Sequence, residues 1–296
     1  MSAIEALKER TPRGALDLAN WTTRRWGLAT AAQRGLPDFL VIGTKRGGTT
    51  SLFNYLLMHS GVLGLFPQAR GRKSTDYFFK NLHLGEEWYR SHFHTEAHLA
   101  RVADRLGYRP VCGEASPYYM WDPRVAGRVA ALVPNVKAIA LVRDPVERAW
   151  SHYQERTQNG VEPLSFTDAL AAEGDRTGSA VQRMRENPGY HSDAFDWYAY
   201  RERGVYLPQL QNWLESFPRE QLLVVRSEDM YADVQSVFDT VCDFLGLPRL
   251  ELPTKKTFNA SARAPMPASV RAELSEYYRS PNLELESFLG RPLSWS

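Results

Sequence analysis

The chain has 296 residues, 43% hydrophobic and 24% charged, and its 36 Lys and Arg against 34 Asp and Glu give a net charge of +2. This composition excludes a disordered tail, a coiled coil and a collagen-like rod. The near-neutral balance gives no reason to expect a nucleic-acid partner, so any basic patch must be local.

At ~100–200 residues per domain, the length allows one large domain or two small ones with a sizeable core. Cys112 and Cys242 are too few for a disulfide scaffold and are expected as reduced, buried thiols. No run approaches the ~18 uncharged apolar residues that cross a bilayer. The opening MSAIEALKER lacks the apolar stretch of a secretory signal. A cytoplasmic enzyme is the expectation.

Residues 1–35 read as an amphipathic helical extension carrying Trp21, Trp26 and several arginines. Packing on its own domain is expected, with membrane-surface docking as the alternative. From Leu36 onward, β-rich apolar runs alternate with helical patterns, the signature of a single α/β domain (36–296) around a mostly parallel sheet. The runs are Asp38–Ile42, Pro110–Cys112, Ala138–Val142 and Leu222–Val225. Each is nearly continuous, as in strands covered on both faces. Each delivers polar residues at its carboxyl end, where open α/β sheets bind ligands. Leu52, Tyr55 and Leu56 mark one helix; Val234, Val237, Phe238, Val241 and Leu245 mark another, stopped by Gly246 and Pro248.

The first strand runs into Gly43-Thr44-Lys45-Arg46-Gly47-Gly48-Thr49-Thr50-Ser51 and then a helix. That order turns backbone N–H groups and a helix N-terminus toward a phosphate. The spacing is close to GxxxxGK[ST], but Thr49 stands where that loop requires lysine. The cations come earlier, at Lys45 and Arg46, which suits one phosphate with a cation beside a leaving group. No acid falls between Asp38 and Asp76, whereas Lys45, Arg46, Arg70, Arg72 and Lys73 do. A local positive funnel follows.

The stretch Leu141–Tyr153 carries a second anion signature. Asp144 reads as an N-cap, Pro145 as the first helical residue and Glu147 as a capping-box acid. Arg143 then ends a strand, and Ser151 lies two turns into the helix. A guanidinium fork with a hydroxyl suits a second, separate phosphate.

These two motifs, in this order, resemble the sulfotransferase superfamily, whose members move a sulfuryl group from 3′-phosphoadenosine-5′-phosphosulfate to an acceptor. Ile42–Leu52 is similar to the family's 5′-phosphosulfate loop, and Leu141–Tyr153 to its 3′-phosphate segment LxRDPxERxxSxY. Gly113-Glu114-Ala115-Ser116 with Met120-Trp121-Asp122, Arg203-Gly204-Val205-Tyr206 before Trp213-Leu214, and Tyr277-Tyr278-Arg279 extend the likeness toward heparan and chondroitin type carbohydrate sulfotransferases and bacterial relatives. The resemblance implies a P-loop-like nucleotide fold. It implies a nucleotide set of Lys45, Arg46, Gly47, Gly48, Thr49, Thr50, Arg143, Ser151, Tyr206, Asn259, Ser261 and Arg263. No metal is expected.

Arg46 falls where the family places a catalytic lysine. It keeps the charge but cannot readily give up a proton, so Arg46 and Lys45 are expected to stabilise the leaving group electrostatically. Thr75 occupies the place of the heparan-type glutamate ahead of an aromatic pair. Glu114, at a strand end, is the expected general base, with His59, Asp76 and His152 as alternatives. The acceptor is a carbohydrate or small-metabolite hydroxyl that the sequence leaves open. Rival readings are a kinase-like phosphotransferase, separable by magnesium dependence, and a non-catalytic nucleotide- or polyanion-binding module.

Overall fold

The computed structural model describes residues 13–67, 72–254 and 265–295. Five strands form one sheet, β1 (Phe39–Gly43), β2 (Val62–Leu63), β3 (Val111–Ala115), β4 (Lys137–Val142) and β5 (Leu222–Arg226), in the order β2-β3-β1-β4-β5. Every pairing is parallel. The expected runs all appear. Strand β2, two residues at the edge, was not expected: so short a run shows no period.

The helices that bear on the site are α1 (Arg13–Ala29), α2 (Thr49–Leu56), α3 (Val125–Leu132), α4 (Pro145–Gln158), α5 (Tyr206–Leu214), α6 (Val234–Leu245) and α7 (Ala268–Leu289). Alternate residues of the strands feed two cores. Leu40, Ile42, Ala138, Ala140 and Val142 pack with Val125, Val129, Leu210, Trp213 and Leu285 on one face. Phe39, Val41, Ile139 and Leu141 pack with Leu52, Leu56, Phe238 and Val241 on the other. Both faces of each strand are therefore apolar, which is why the runs lack a two-residue period. Cys112 and Cys242 are buried free thiols.

The helix boundaries follow local chemistry. Helix α6 ends at Gly246, whose φ of 76° supplies the left-handed cap. Asp144 caps α4 by accepting from the N–H groups of Val146 and Glu147, with Pro145 opening the helix. Glu147 does not close a capping box. Its carboxylate pairs with Arg271 at 2.6 Å, and the Asp144 N–H donates to Glu228 at 2.9 Å. Nothing near in sequence announces that exchange of acids.

Candidate functional site

The cleft lies at the carboxyl edge of β1 and β4. After Gly43 the chain turns tightly: the Thr44 N–H donates to the Leu141 carbonyl at 2.8 Å and the Gly47 N–H to the Thr44 carbonyl at 2.9 Å. Ser227, at the end of β5, donates to the carbonyls of Gly47 (2.6 Å) and Val142 (3.0 Å), tying the loop to β4. Gly48 has a φ of 90°, and a Cβ there would stand 2.8 Å from the Met230 methyl. Glycine is required on both counts. Arg46 also takes a left-handed backbone, φ 69°, at a cost of roughly 1–2 kcal/mol for a residue with a Cβ.

Its side chain runs toward α4. The Arg46 Nε donates to the Ser151 Oγ at 2.9 Å, and the Arg46 carbonyl accepts from the Arg143 guanidinium at 3.2 Å. The glycine loop and the Arg143 motif, separate in sequence, thus form one surface. Lys45, Arg46, Thr49, Thr50 and Arg143 line a cleft of about 300 Å³, joined by Lys73, Tyr118, Glu155, Arg156 and Tyr231. Ser151 is buried on its wall.

Lys45 is 5% exposed and donates to the Tyr118 hydroxyl at 2.9 Å while pairing with Glu155 at 3.0 Å. Burial pushes its ammonium down to about 7, against the opposing pull of Glu155. Burial also pushes Lys73 down to about 8, with Asp76 and Glu155 opposing; its ammonium donates to the Thr50 hydroxyl. For Glu155 burial raises the carboxyl, but Lys45, Arg156 and Arg46 outweigh it and hold the group below its ordinary range. The cleft therefore carries several cations and one ionised carboxylate. The α2 N-terminus adds the positive end of a helix, so the donor set fits two anionic groups.

The expected bases are placed elsewhere. Glu114 does not end at the sheet edge: it pairs in register with Leu40, three residues before Gly43, and is fully buried. Its carboxylate accepts from the Thr75 N–H (2.6 Å) and hydroxyl (2.7 Å), Tyr89 (3.0 Å) and Tyr119 (2.9 Å). Burial pushes it up to about 7 despite those bonds. This corrects the catalytic expectation, because β3 runs on through Glu114 to Ala115 and keeps the carboxylate beneath the cleft. The ring nitrogens of His59 bond the Pro248 carbonyl and the Gly61 N–H, away from the cleft. His152 is sealed against Tyr200, and burial holds it well below its ordinary range. Asp76 accepts from Ser74 and Ser116, each at 2.6 Å.

Tyr206 is buried and donates to the Arg143 carbonyl at 2.8 Å; it positions Arg143 rather than lining the cleft. Asn259, Ser261 and Arg263 lie outside the described residues. Sequence reasoning missed Glu155, Arg156 and Tyr231. A signal existed for Glu155, which follows Ser151 by four residues and so shares its helix face. Away from the cleft, His191 pairs with Asp193 and Asp196 at 3.2 and 3.1 Å, and Asp196 chiefly raises the imidazole pKa.

Comparison with known proteins places the chain in a family. A family model described as "Sulfotransferase domain" matches residues 36–266. The membrane-associated sulfotransferase kil1 of Dictyostelium discoideum is 27% identical, over 88% of this chain and 66% of its own. The bifunctional heparan sulfate N-deacetylase/N-sulfotransferase 3 of Homo sapiens is 30% identical, over 88% of this chain and 31% of its own. The chain spans about a third to two thirds of these relatives. The crystal structure of a sulfotransferase from Alicyclobacillus acidocaldarius matches with a TM-score of 0.64 and 28% identity, covering 88% of this chain and 98% of that one. Among the described residues no helix is long and apolar enough to cross a membrane.

Proposed function

Because the chain belongs to the sulfotransferase domain family, we propose that it transfers a sulfuryl group from 3′-phosphoadenosine-5′-phosphosulfate to a hydroxyl acceptor. The observation that carries this reading is the 2.9 Å contact from Arg46 to Ser151, which fuses two anion-binding motifs into one basic cleft. A nucleotide with phosphates at both ends of its ribose needs two such sites at a fixed separation. The turn from Gly47 to Thr50 and the start of α2 hold the 5′ side. Arg143 and Ser151 hold the 3′-phosphate.

In the transfer, a bond forms from the acceptor oxygen to sulfur as the bond from sulfur to the 5′-phosphate oxygen breaks. The electron pair goes to that phosphate oxygen, where Lys45 and Arg46 neutralise the charge. The acceptor proton goes to Glu155, the ionised carboxylate that lines the cleft. A bound phosphate competes with Glu155 for Lys45. As the ion pair loosens, the carboxylate loses the charge that depresses its pKa and becomes the stronger base. Curated relatives named for heparan sulfate support a carbohydrate acceptor over a small metabolite.

The test is transfer of labelled sulfate to carbohydrate and small hydroxyl acceptors with EDTA present. Glu155→Gln should cut kcat by about 10²–10⁴ while 3′,5′-adenosine bisphosphate binds as well or better. A kcat changed less than about tenfold, below that range, removes Glu155 as the base. Loss of transfer on adding EDTA, or equal competition by ATP, turns the reading to a kinase-like phosphotransferase. Tight bisphosphate binding without transfer to any acceptor leaves a nucleotide-binding module.

A further inference from the structure

Helix α1 is amphipathic the wrong way round for a helix packed on a protein. Its protein-facing positions are Asn20, Thr23, Arg24 and Gly27, while Leu18, Trp21, Trp26 and Leu28 stand 62%, 56%, 52% and 41% exposed. Leu18, Trp21, Arg25 and Leu28 follow the three- and four-residue spacing that stacks side chains on one helix face. The polar side is pinned. Arg24 donates to the Ser91 carbonyl and hydroxyl at 2.7 and 2.9 Å and to the Phe66 carbonyl at 2.7 Å. Gly27 lies so close that an added Cβ would stand 2.8 Å from the Ser91 carbonyl oxygen. Rotating the helix to bury its apolar stripe would break these contacts, so the stripe faces outward by construction. The helix also precedes the residues shared with the family, which begin at 36.

The surroundings of the stripe say what covers it. A groove of about 430 Å³ runs beside the helix, bordered by Trp21, Arg24, Arg25, Leu28, Phe66 and Arg72. Its charged groups are those three arginines against Asp17; His92, pushed down to about 3 by burial, is neutral there. The Arg25 guanidinium lies 4.7 Å from the centre of the Trp21 ring. Apolar side chains flanked by indoles and arginines match a lipid interface, with leucines in the acyl boundary, tryptophans at headgroup level and arginines on lipid phosphates. A net positive rim matches an anionic surface.

We propose that α1 docks this protein on an anionic membrane surface through Leu18, Trp21 and Leu28, with Arg25 and Arg72 contacting headgroup phosphates. Arg72 borders the groove and its neighbour Lys73 lines the cleft, so the docked face adjoins the anion-binding site.

The test is co-sedimentation of the full chain with phosphatidylcholine vesicles with and without phosphatidylserine, at low and high salt. The wild type should partition onto the anionic vesicles, with a blue shift in tryptophan emission, and come off at high salt. Trp21→Ser with Leu28→Ser should weaken partitioning by about tenfold or more, the scale of losing two buried apolar side chains. Arg25→Glu should weaken it at low salt only. Unchanged thermal midpoints and bisphosphate affinity confirm that the variants are folded, because these side chains are exposed and outside the cleft. Equal binding to neutral vesicles, no binding to any vesicle, or a dimer that the serine variant converts to a monomer would each overturn the proposal. Failure here leaves the sulfuryl-transfer reading intact, since that is measured without lipid.

Discussion

At the scale of single residues, position relative to the sheet edge decides role. Glu114 has the residue type of a base and the surroundings of a strut, with Thr75, Tyr89 and Tyr119 all donating to it. Glu114→Gln puts an amide hydrogen where an acceptor stood, and an unmet buried partner costs about 1–3 kcal/mol. A lowered thermal midpoint with kcat changed less than about tenfold, below the loss of a base, is the expected result. Its folded pKa of about 7 lies above the ordinary 4.5. The stability Glu114 contributes is therefore full below about 4.5 and lost as pH rises through about 7, so the gap between wild type and variant should narrow across that window. A constant gap would show that the carboxyl does not titrate there. Lys45 makes the opposite case. Its ammonium titrates near 7 in the free protein, and a bound phosphate favours the charged form. Bisphosphate affinity should fall as pH rises above about 7, with proton uptake measurable by calorimetry in buffers of different ionisation heat. Lys45→Arg, always charged, should abolish the uptake; uptake unchanged in that variant would remove Lys45 from the anion site.

At the scale of elements, the cleft depends on how strands hand over to helices. The loop between β1 and α2 is held by Leu141, Val142 and Ser227, which belong to β4 and the end of β5, so it is set by neighbours as well as by its own glycines. Of these glycines Gly48 has the positive φ. A Cβ at its φ of 90° would lie 2.8 Å from the Met230 methyl and 2.9 Å from the Tyr231 hydroxyl, and Tyr231 lines the cleft. Gly48→Ala should lower stability by about 1–2 kcal/mol, the cost of a left-handed residue with a Cβ, and weaken bisphosphate binding as Tyr231 moves. Denaturant unfolding and calorimetry test both effects, and an alanine variant with wild-type affinity would show that the loop does not touch the 5′ side. The Asp144 cap is local and robust by contrast, since both of its N–H donors lie within three residues.

At the scale of the whole molecule, the two anion motifs meet because β1 and β4 are adjacent in the strand order β2-β3-β1-β4-β5. Both motifs therefore open on the same edge. A ligand spanning them binds only the folded chain and should stabilise it by about 2.7 kcal/mol at a hundredfold excess over its Kd. The thermal midpoint should rise with 3′,5′-adenosine bisphosphate in EDTA, and less with ATP at the same concentration, because ATP lacks the 3′-phosphate for Arg143 and Ser151 and so binds more weakly. An equal rise with adenosine 5′-monophosphate would mean that the second site is unused.

The sequence by itself determined the parallel α/β architecture, both anion motifs and the Asp144 cap. Each rests on neighbours a few residues apart: continuous apolar runs, a glycine turn before a helix, an Asp-Pro before another. Tertiary structure alone decided which carboxylate faces the cleft. Glu114 and Glu155 are equally acidic in the sequence, but the register of Glu114 with Leu40 buries the first, and the single turn of α4 from Ser151 brings the second to the cleft. It likewise decided that Arg46 reaches Ser151, that Tyr206 braces Arg143 and that α1 turns its polar side inward. Periodicity says that a helix has two faces. Which one the rest of the protein covers depends on distant groups, here the Ser91 and Phe66 carbonyls that claim Arg24.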